Sequence, residues 1–302
     1  MVHDDQHNYI NTLIQDEGLP EPFTETVERW YLPLAKRVTE AKAPSKVLML
    51  GVQGTQGSGK STLANFLKAI FENDYGLKTV SISLDDFYLT RAERTALAEE
   101  VHPLFITRGV PGTHDVSLAI ETLNALKTLH PGESVDVPRF NKAVDDRYEK
   151  AQWSRVEDHV DVIIFEGWCV GCEPEDETAL SPPVNDFEAK EDANGEWRAY
   201  ANKMLSTHYQ DLFNLLDKLI VLNAPSFECV FEWRMLQEEK LRQKLKNADA
   251  KATSHILSNE EIVRFVSHYE RLTRHCLATL PERADWVLPL NKHHDILDLK
   301  IK

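Results

Sequence analysis

The sequence predicts an α/β fold, a parallel sheet flanked by helices, and three observations carry that expectation. A continuous apolar run, Val47-Leu48-Met49-Leu50-Gly51-Val52, reads as a strand buried on both faces. Strand-like segments then alternate along the chain with segments of helical period. Between the first strand and the next helix lies a glycine-rich turn, Gly54-Thr55-Gln56-Gly57-Ser58-Gly59.

Taken in order, residues 1–44 are expected as a helical extension packed on the rest. Ile10, Leu13 and Ile14, then Val27, Trp30, Tyr31 and Leu34, recur at helical spacing on either side of a break at Leu19-Pro20-Glu21-Pro22. The first strand follows, and then a helix from Lys60 to about Glu72 with Leu63, Phe66, Leu67 and Ile70 on one face. A second strand, Thr79 to Leu84, alternates and ends at Asp85-Asp86. Asp115 is placed to cap a helix carrying Val116, Ile120, Leu123 and Leu126. Further strands are expected at 159–165, 218–222 and 286–290, and helices near 197–215, 226–247 and 259–279. The segment 169–195, rich in Pro, Glu and Asp, reads as a surface insertion. No repeat or linker divides the chain, so residues 1–302 are expected to form a single domain.

Composition narrows the function. With 42% hydrophobic and 27% charged residues the chain is neither collagen-like nor wholly disordered. Lys and Arg number 34 against 49 Asp and Glu, a formal charge of −15 that repels nucleic acid and anionic membranes. A phosphate-bearing ligand therefore needs a locally basic pocket. Four cysteines, one pair of them the C-x-x-C of Cys169 and Cys172, make no disulfide scaffold and fit a reducing, cytoplasmic setting. The start Met1-Val2-His3-Asp4-Asp5 lacks the basic and apolar regions of a signal peptide, and no apolar run is long enough to span a membrane. The oligomeric state is left open, with a monomer favoured.

The glycine-rich turn continues into Lys60-Ser61-Thr62 and so matches G-x-x-x-x-G-K-[ST] between a strand and an amphipathic helix, the context a P-loop requires. Glycines let successive N–H groups of Gly54, Thr55, Gln56, Gly57, Ser58 and Gly59 turn inward on an anion. The helix N-terminus adds positive potential, Lys60 reaches the β/γ-phosphates, and Ser61 ligates Mg²⁺. The sequence thus predicts a P-loop NTPase fold binding ATP with Mg²⁺.

Acceptor chemistry is sought at the carboxyl ends of the other strands, where ligands of open α/β sheets bind. Asp85 is read as a base that activates a hydroxyl, and Asp86 equally as a substrate contact or a helix cap. Glu166, in Phe165-Glu166-Gly167, has the position of a carboxylate holding Mg²⁺ through water, with an exposed turn acid as the alternative. Arg108 and His114, in the turn-rich stretch Thr107 to Asp115, and Lys142 and Arg147, in Pro138 to Arg147, are candidate substrate contacts. For the arginines the plain alternative is a solvated charge, for His114 a local backbone bond. Arg234, with Lys240 and Arg242, lies on a charge-laced helix that reads either as solvated or as a lid whose arginine touches the transferring phosphate.

These residues together resemble a known family. GTQGSGKST, SLDDFYLT (83–90), RGVPGTHD (108–115), FNKAVDDR (140–147), FEGWCVG (165–171) and FEWRMLQEEKL (231–241) are similar to the D-glycerate 3-kinases. That family belongs to the P-loop kinases related to phosphoribulokinase, uridine kinase and bacterial pantothenate kinase. The resemblance covers most of the chain from about residue 46 onward. It implies ATP-dependent phosphorylation of glycerate to 3-phosphoglycerate, and Asp85 aligns with the Asp that serves as base in the uridine and pantothenate kinase relatives. Lys60 and the lid arginine, Arg234, are expected to balance charge on the transferring phosphoryl group. Kinases for another small alcohol, such as a nucleoside or a pantothenate-like acceptor, and a regulatory ATPase needing no acceptor, remain the alternatives.

Overall fold

The computed structural model describes residues 8–245 and 259–302. Its centre is a six-stranded sheet in the order β10-β9-β8-β1-β7-β2. The strands are β1 (Leu48–Gly54), β2 (Thr79–Ser83), β7 (Val162–Gly167), β8 (Lys218–Asn223), β9 (Trp286–Pro289) and β10 (Lys300–Ile301). β1 pairs parallel with β7 and β8, β2 with β7, and β8 with β9; β10 alone among these runs antiparallel, on β9. All residues of β1 are buried, as its apolar run requires.

The two faces of the sheet sort by period two. Leu48, Leu50, Val52, Val162 and Ile164 face one core with Tyr31, Leu34, Phe66 and Ile70. Met49, Ile163 and Phe165 face the other, with Phe87, Leu123 and Tyr209. The amino-terminal helices dock on the first core, where the rings of Phe23 and Tyr31 lie 5.5 and 5.7 Å from that of Phe66. The P-loop helix, Lys60–Tyr75, lies on the same face and stops at Gly76, whose φ of 63° is a left-handed cap.

Several expectations are corrected. The helical extension has no second straight helix: Phe23–Thr26 passes through a π turn, Val27–Tyr31, into Leu32–Ala41. Pro33, which cannot donate to the turn before it, sits where that turn widens. The helices expected over 197–215 and 259–279 are each broken in two, at Thr207 and at His268-Tyr269. The stretch expected as a loop around 138–147 contains the antiparallel pair β4 (Phe140–Asn141) and β5 (Asp146–Arg147), and β3 (Ser134–Val137) pairs with β6 (Ser154–Glu157) beside it. The segment 169–195 is not simply a surface insertion. Cys169, Val170 and Cys172 are fully buried, and Glu188 and Asp192 are buried because Arg271 and Arg198 pair with them at 2.7 and 2.9 Å.

No helix among the described residues is long and apolar enough to cross a membrane.

Candidate active site

β1 delivers the chain to the P-loop at the carboxyl edge of the sheet. Gly54 is required by closeness, since a Cβ there would lie 2.4 Å from Ser58 Oγ, and Gly57 and Gly59 have φ of 76° and 89°. No side chain caps the helix that starts at Lys60, so its first-turn N–H groups are left without a capping partner. The hydroxyls of Thr55 and Ser58 are buried with no hydrogen-bond partner. Orphaned donors around an uncapped helix start suit an anion. Thr62 is half-buried in the first turn.

Facing the P-loop is a cavity of about 380 Å³ lined by Gln56, Gly57 and Lys60 from the loop, Asp85 and Tyr88 from the end of β2, and Arg108, Lys142 and Arg234. Trp168, Phe265 and Tyr269 close its apolar side. Asp85 stands in a short 3₁₀ turn, Leu84–Phe87, and accepts from Lys142 Nζ at 2.6 Å. Burial disfavours its carboxylate, but Lys142 and Lys60 outweigh that and hold its pKa below the ordinary carboxylate value. Arg234 lays its guanidinium 5.2 Å from the Phe265 ring. The side chains of Lys240 and Arg242 lie outside the described residues.

Other candidates turn away from the cavity. Asp86 Oδ2 accepts from Arg139 Nη1 at 2.8 Å and Oδ1 from the Phe140 N–H at 3.2 Å, tying β4 to the end of β2. Its burial raises its pKa in spite of Arg139 and Phe140. Arg147, expected as a substrate cation, donates instead to the Tyr88 carbonyl at 3.0 Å and to Asp115 Oδ2 at 3.4 Å. Arg147 does not line the cavity, and these bonds tie it to the chain at Tyr88 and Asp115. His114 stacks on Tyr88 with ring centroids 4.3 Å apart and is buried. Tyr209 Oη accepts the Gly112 N–H at 3.0 Å and lies 2.6 Å from His114 Nδ1. His114 Nε2, on the other side of the ring, is buried without a hydrogen-bond partner.

Burial pushes His114 and His268 down to about 4 from 6.5. Each therefore binds fewer protons folded than unfolded between those values, so its stability contribution is full above pH 6.5 and is lost as pH falls toward 4. At pH 5 the loss is about 2 kcal/mol for each histidine. Urea unfolding at pH 7 and pH 5 should show His268→Phe losing less stability over that interval than the wild type; an equal loss would mean that His268 is not held neutral.

Ser61 Oγ donates to Glu166 Oε1 at 3.0 Å, and Glu166 Oε2 is buried without a partner. Glu166 sits within β7, paired in register with Val52 and Ser83, and is not an exposed turn acid. A hydroxyl beside a half-satisfied buried carboxylate fits Mg²⁺, an ion that takes one or two protein oxygens and completes its shell from phosphates and water. Among the described residues no cluster of three or more His, Cys, Asp or Glu competes for a metal.

Sequence reasoning assigned no role to Arg94, Asp145, Arg139, Trp168 or Tyr269. Trp168 Nε1 donates to the Gly109 carbonyl at 3.2 Å and Tyr269 Oη to the Arg108 carbonyl at 3.1 Å, so both hold the loop that carries Arg108. Gly109, at φ 146°, allows this approach: a Cβ there would lie 2.3 Å from Tyr269 Oη. Trp168 lies in FEGWCVG (165–171), the one sequence signal that points to it.

No protein-family model matches the chain. Over 242 residues it is 34% identical to the Schizosaccharomyces pombe protein named uncharacterized kinase mug58, covering 76% of this chain and 81% of that one. Over 241 residues it is 33% identical to the chloroplastic D-glycerate 3-kinase of Arabidopsis thaliana, covering 77% of this chain but 48% of the relative, about half its length. Among solved structures, D-glycerate 3-kinase from Cryptococcus neoformans superposes with a TM-score of 0.72 at 23% identity, over 94% of this chain and 100% of that one. That likeness concerns the fold.

Proposed function

We propose that the chain, which belongs to the kinase family of the Schizosaccharomyces pombe relative, is a D-glycerate 3-kinase-like P-loop kinase that transfers the γ-phosphoryl group of ATP to a small hydroxy acid, D-glycerate before others, releasing 3-phosphoglycerate and ADP. The observation that carries this reading is one cavity in which the P-loop lysine, Lys60, and the carboxylate Asp85 meet Arg108, Lys142 and Arg234. A nucleotide-only switch has no use for a carboxylate and cations arranged on the acceptor side of a P-loop.

In this mechanism the P-loop N–H groups and Lys60 hold the β- and γ-phosphates, and Arg234 meets the transferring group from the helix Phe227–Leu245. Ser61 and, through water, Glu166 would hold Mg²⁺, whose charge when bound would offset that of the phosphates. Arg108 pairs with the acceptor carboxylate. Asp85 accepts a hydrogen bond from the acceptor hydroxyl. As the oxygen–phosphorus bond forms and the bond from the γ-phosphorus to the ADP oxygen breaks, the hydroxyl proton passes to Asp85 and then to solvent. With its pKa depressed, Asp85 is a weak base, suited to orienting the hydroxyl and taking the proton late. The four cysteines, all free thiols, accord with a reducing, cytoplasmic setting.

Glu166→Gln keeps the side-chain shape and removes a charge, so the Mg²⁺ concentration for half-activation should rise about tenfold or more. An unchanged activation curve would leave Glu166 as a partner of Ser61 only. The reading as a whole is tested by incubating the protein with ATP, Mg²⁺ and D-glycerate and following products by ³¹P NMR. Equal amounts of ADP and 3-phosphoglycerate are expected, and ADP formed at the same rate without acceptor would favour the regulatory ATPase.

A further inference from the structure

Arg94 lies on the helix Arg91–Glu100, most of whose side chains are exposed or half-buried, yet it is fully buried. A guanidinium is tolerated there only if its donors are met. Nε donates to the Leu89 carbonyl at 3.2 Å, Nη1 to the Ile106 carbonyl at 2.6 Å, and Nη2 to the Asp145 carbonyl at 2.7 Å. The same Nη2 lies 2.9 Å from Asp145 Oδ2. Those acceptors belong to separate stretches of chain: Leu89 follows Tyr88, Ile106 precedes Arg108, and Asp145 follows Lys142. One buried fork therefore fixes the segments that bring Asp85, Arg108 and Lys142 to the cavity.

Asp145 is itself unusual, with φ at 57° in the left-handed region at the turn between β4 and β5. There its other carboxylate oxygen pairs with Arg108 Nη1. Among the described residues that is the guanidinium's one hydrogen bond, and its face lies 5.4 Å from the Phe140 ring. Arg108 is thus pinned on one edge by Asp145 and on one face by Phe140, with its remaining donors at the cavity wall.

We propose that Asp145, anchored by Arg94, is a positioning residue that presents Arg108 to the carboxylate of the acceptor and so sets preference for acids over neutral alcohols. The inference rests on the acceptor reading above. With Arg94 and Arg108 on one carboxylate, the group keeps a net positive charge at the wall, which attracts an anionic acceptor. A merely structural Asp145 would support the fold without distinguishing acceptors.

The test is a double-mutant cycle in which Asp145→Asn and Asp145→Glu are made alone and with Arg108→Met. KM for D-glycerate, KM for ATP and kcat are measured, with calorimetric ATP binding as the fold check. Asp145→Asn should raise the D-glycerate KM about tenfold or more, with ATP affinity changed by less than about twofold, and should have no further effect once Arg108 is Met. Asp145→Glu, which keeps the charge on Arg94, should fold and show a smaller rise. The proposal is overturned if Asp145→Asn, or Asp145→Glu should the former not fold, leaves the D-glycerate KM unaltered, or if the effect is as large in the Arg108→Met background. Should the wild type use another acceptor, the reading of D-glycerate fails on that assay alone, and the cycle is run with the acceptor found. A carboxylate-bearing acceptor must then show the same loss of additivity, and a neutral one overturns the proposal.

Discussion

Asp85→Asn should lower kcat by about 10² to 10⁴, the range for loss of a positioned base, with little change in ATP affinity. Asparagine keeps the shape of the side chain at the end of β2 but cannot take the hydroxyl proton, and it removes the charge that Lys142 Nζ meets at 2.6 Å. Stopped assays with saturating ATP and acceptor isolate this effect on kcat. Because Lys142 and Lys60 hold the Asp85 pKa below 3.8, the wild type should show no loss of activity from this group as pH falls from 8 to 5. Asp86→Asn is the neighbouring control. Asp86 is occupied with Arg139 and Phe140, so its loss should act on stability; a larger fall in kcat there than at Asp85 would move the base by one residue.

Lys60→Ala should cost about 10² to 10³ in kcat, the scale seen when one electrostatic contact to a developing charge is removed. The protein should still fold, since Lys60 projects from the P-loop toward the cavity and adds nothing to either core. A second signature follows from its action on Asp85. Removing one of the cations that depress the Asp85 pKa should move the acid limb of the kcat profile to higher pH. A variant with unaltered kcat would remove Lys60 from phosphate binding, and one with lowered kcat but an unmoved acid limb would separate Lys60 from Asp85.

The parts of the site legible in the sequence are those whose chemistry is local. A P-loop is a strand, a turn and a helix in succession, so Gly54 to Ser61 declare both conformation and ligand within a few residues. Asp85 and Glu166 were legible because apolar strands end beside them. The rest depends on contacts that no local pattern encodes. Arg147 and Arg108 are both arginines in turn-rich segments; only the fold turns the first onto the Tyr88 carbonyl and the second into the cavity. Arg94 is read from sequence as one more charge on a polar helix, because the acceptors that bury it come from residues 89, 106 and 145. The segment 169–195 misleads through composition, since its acids look solvated until Arg198 and Arg271, distant in the chain, are placed on them.

The claim that this cavity serves a carboxylate-bearing alcohol is tested most directly by kcat/KM for D-glycerate, glycerol and uridine, measured as acceptor-dependent ADP release on the same preparation. A charge-assisted bond between Arg108 and the carboxylate contributes about 1.5–3 kcal/mol, so D-glycerate should exceed glycerol by about 10- to 10²-fold. Glycerol or uridine matching or surpassing D-glycerate would contradict the account.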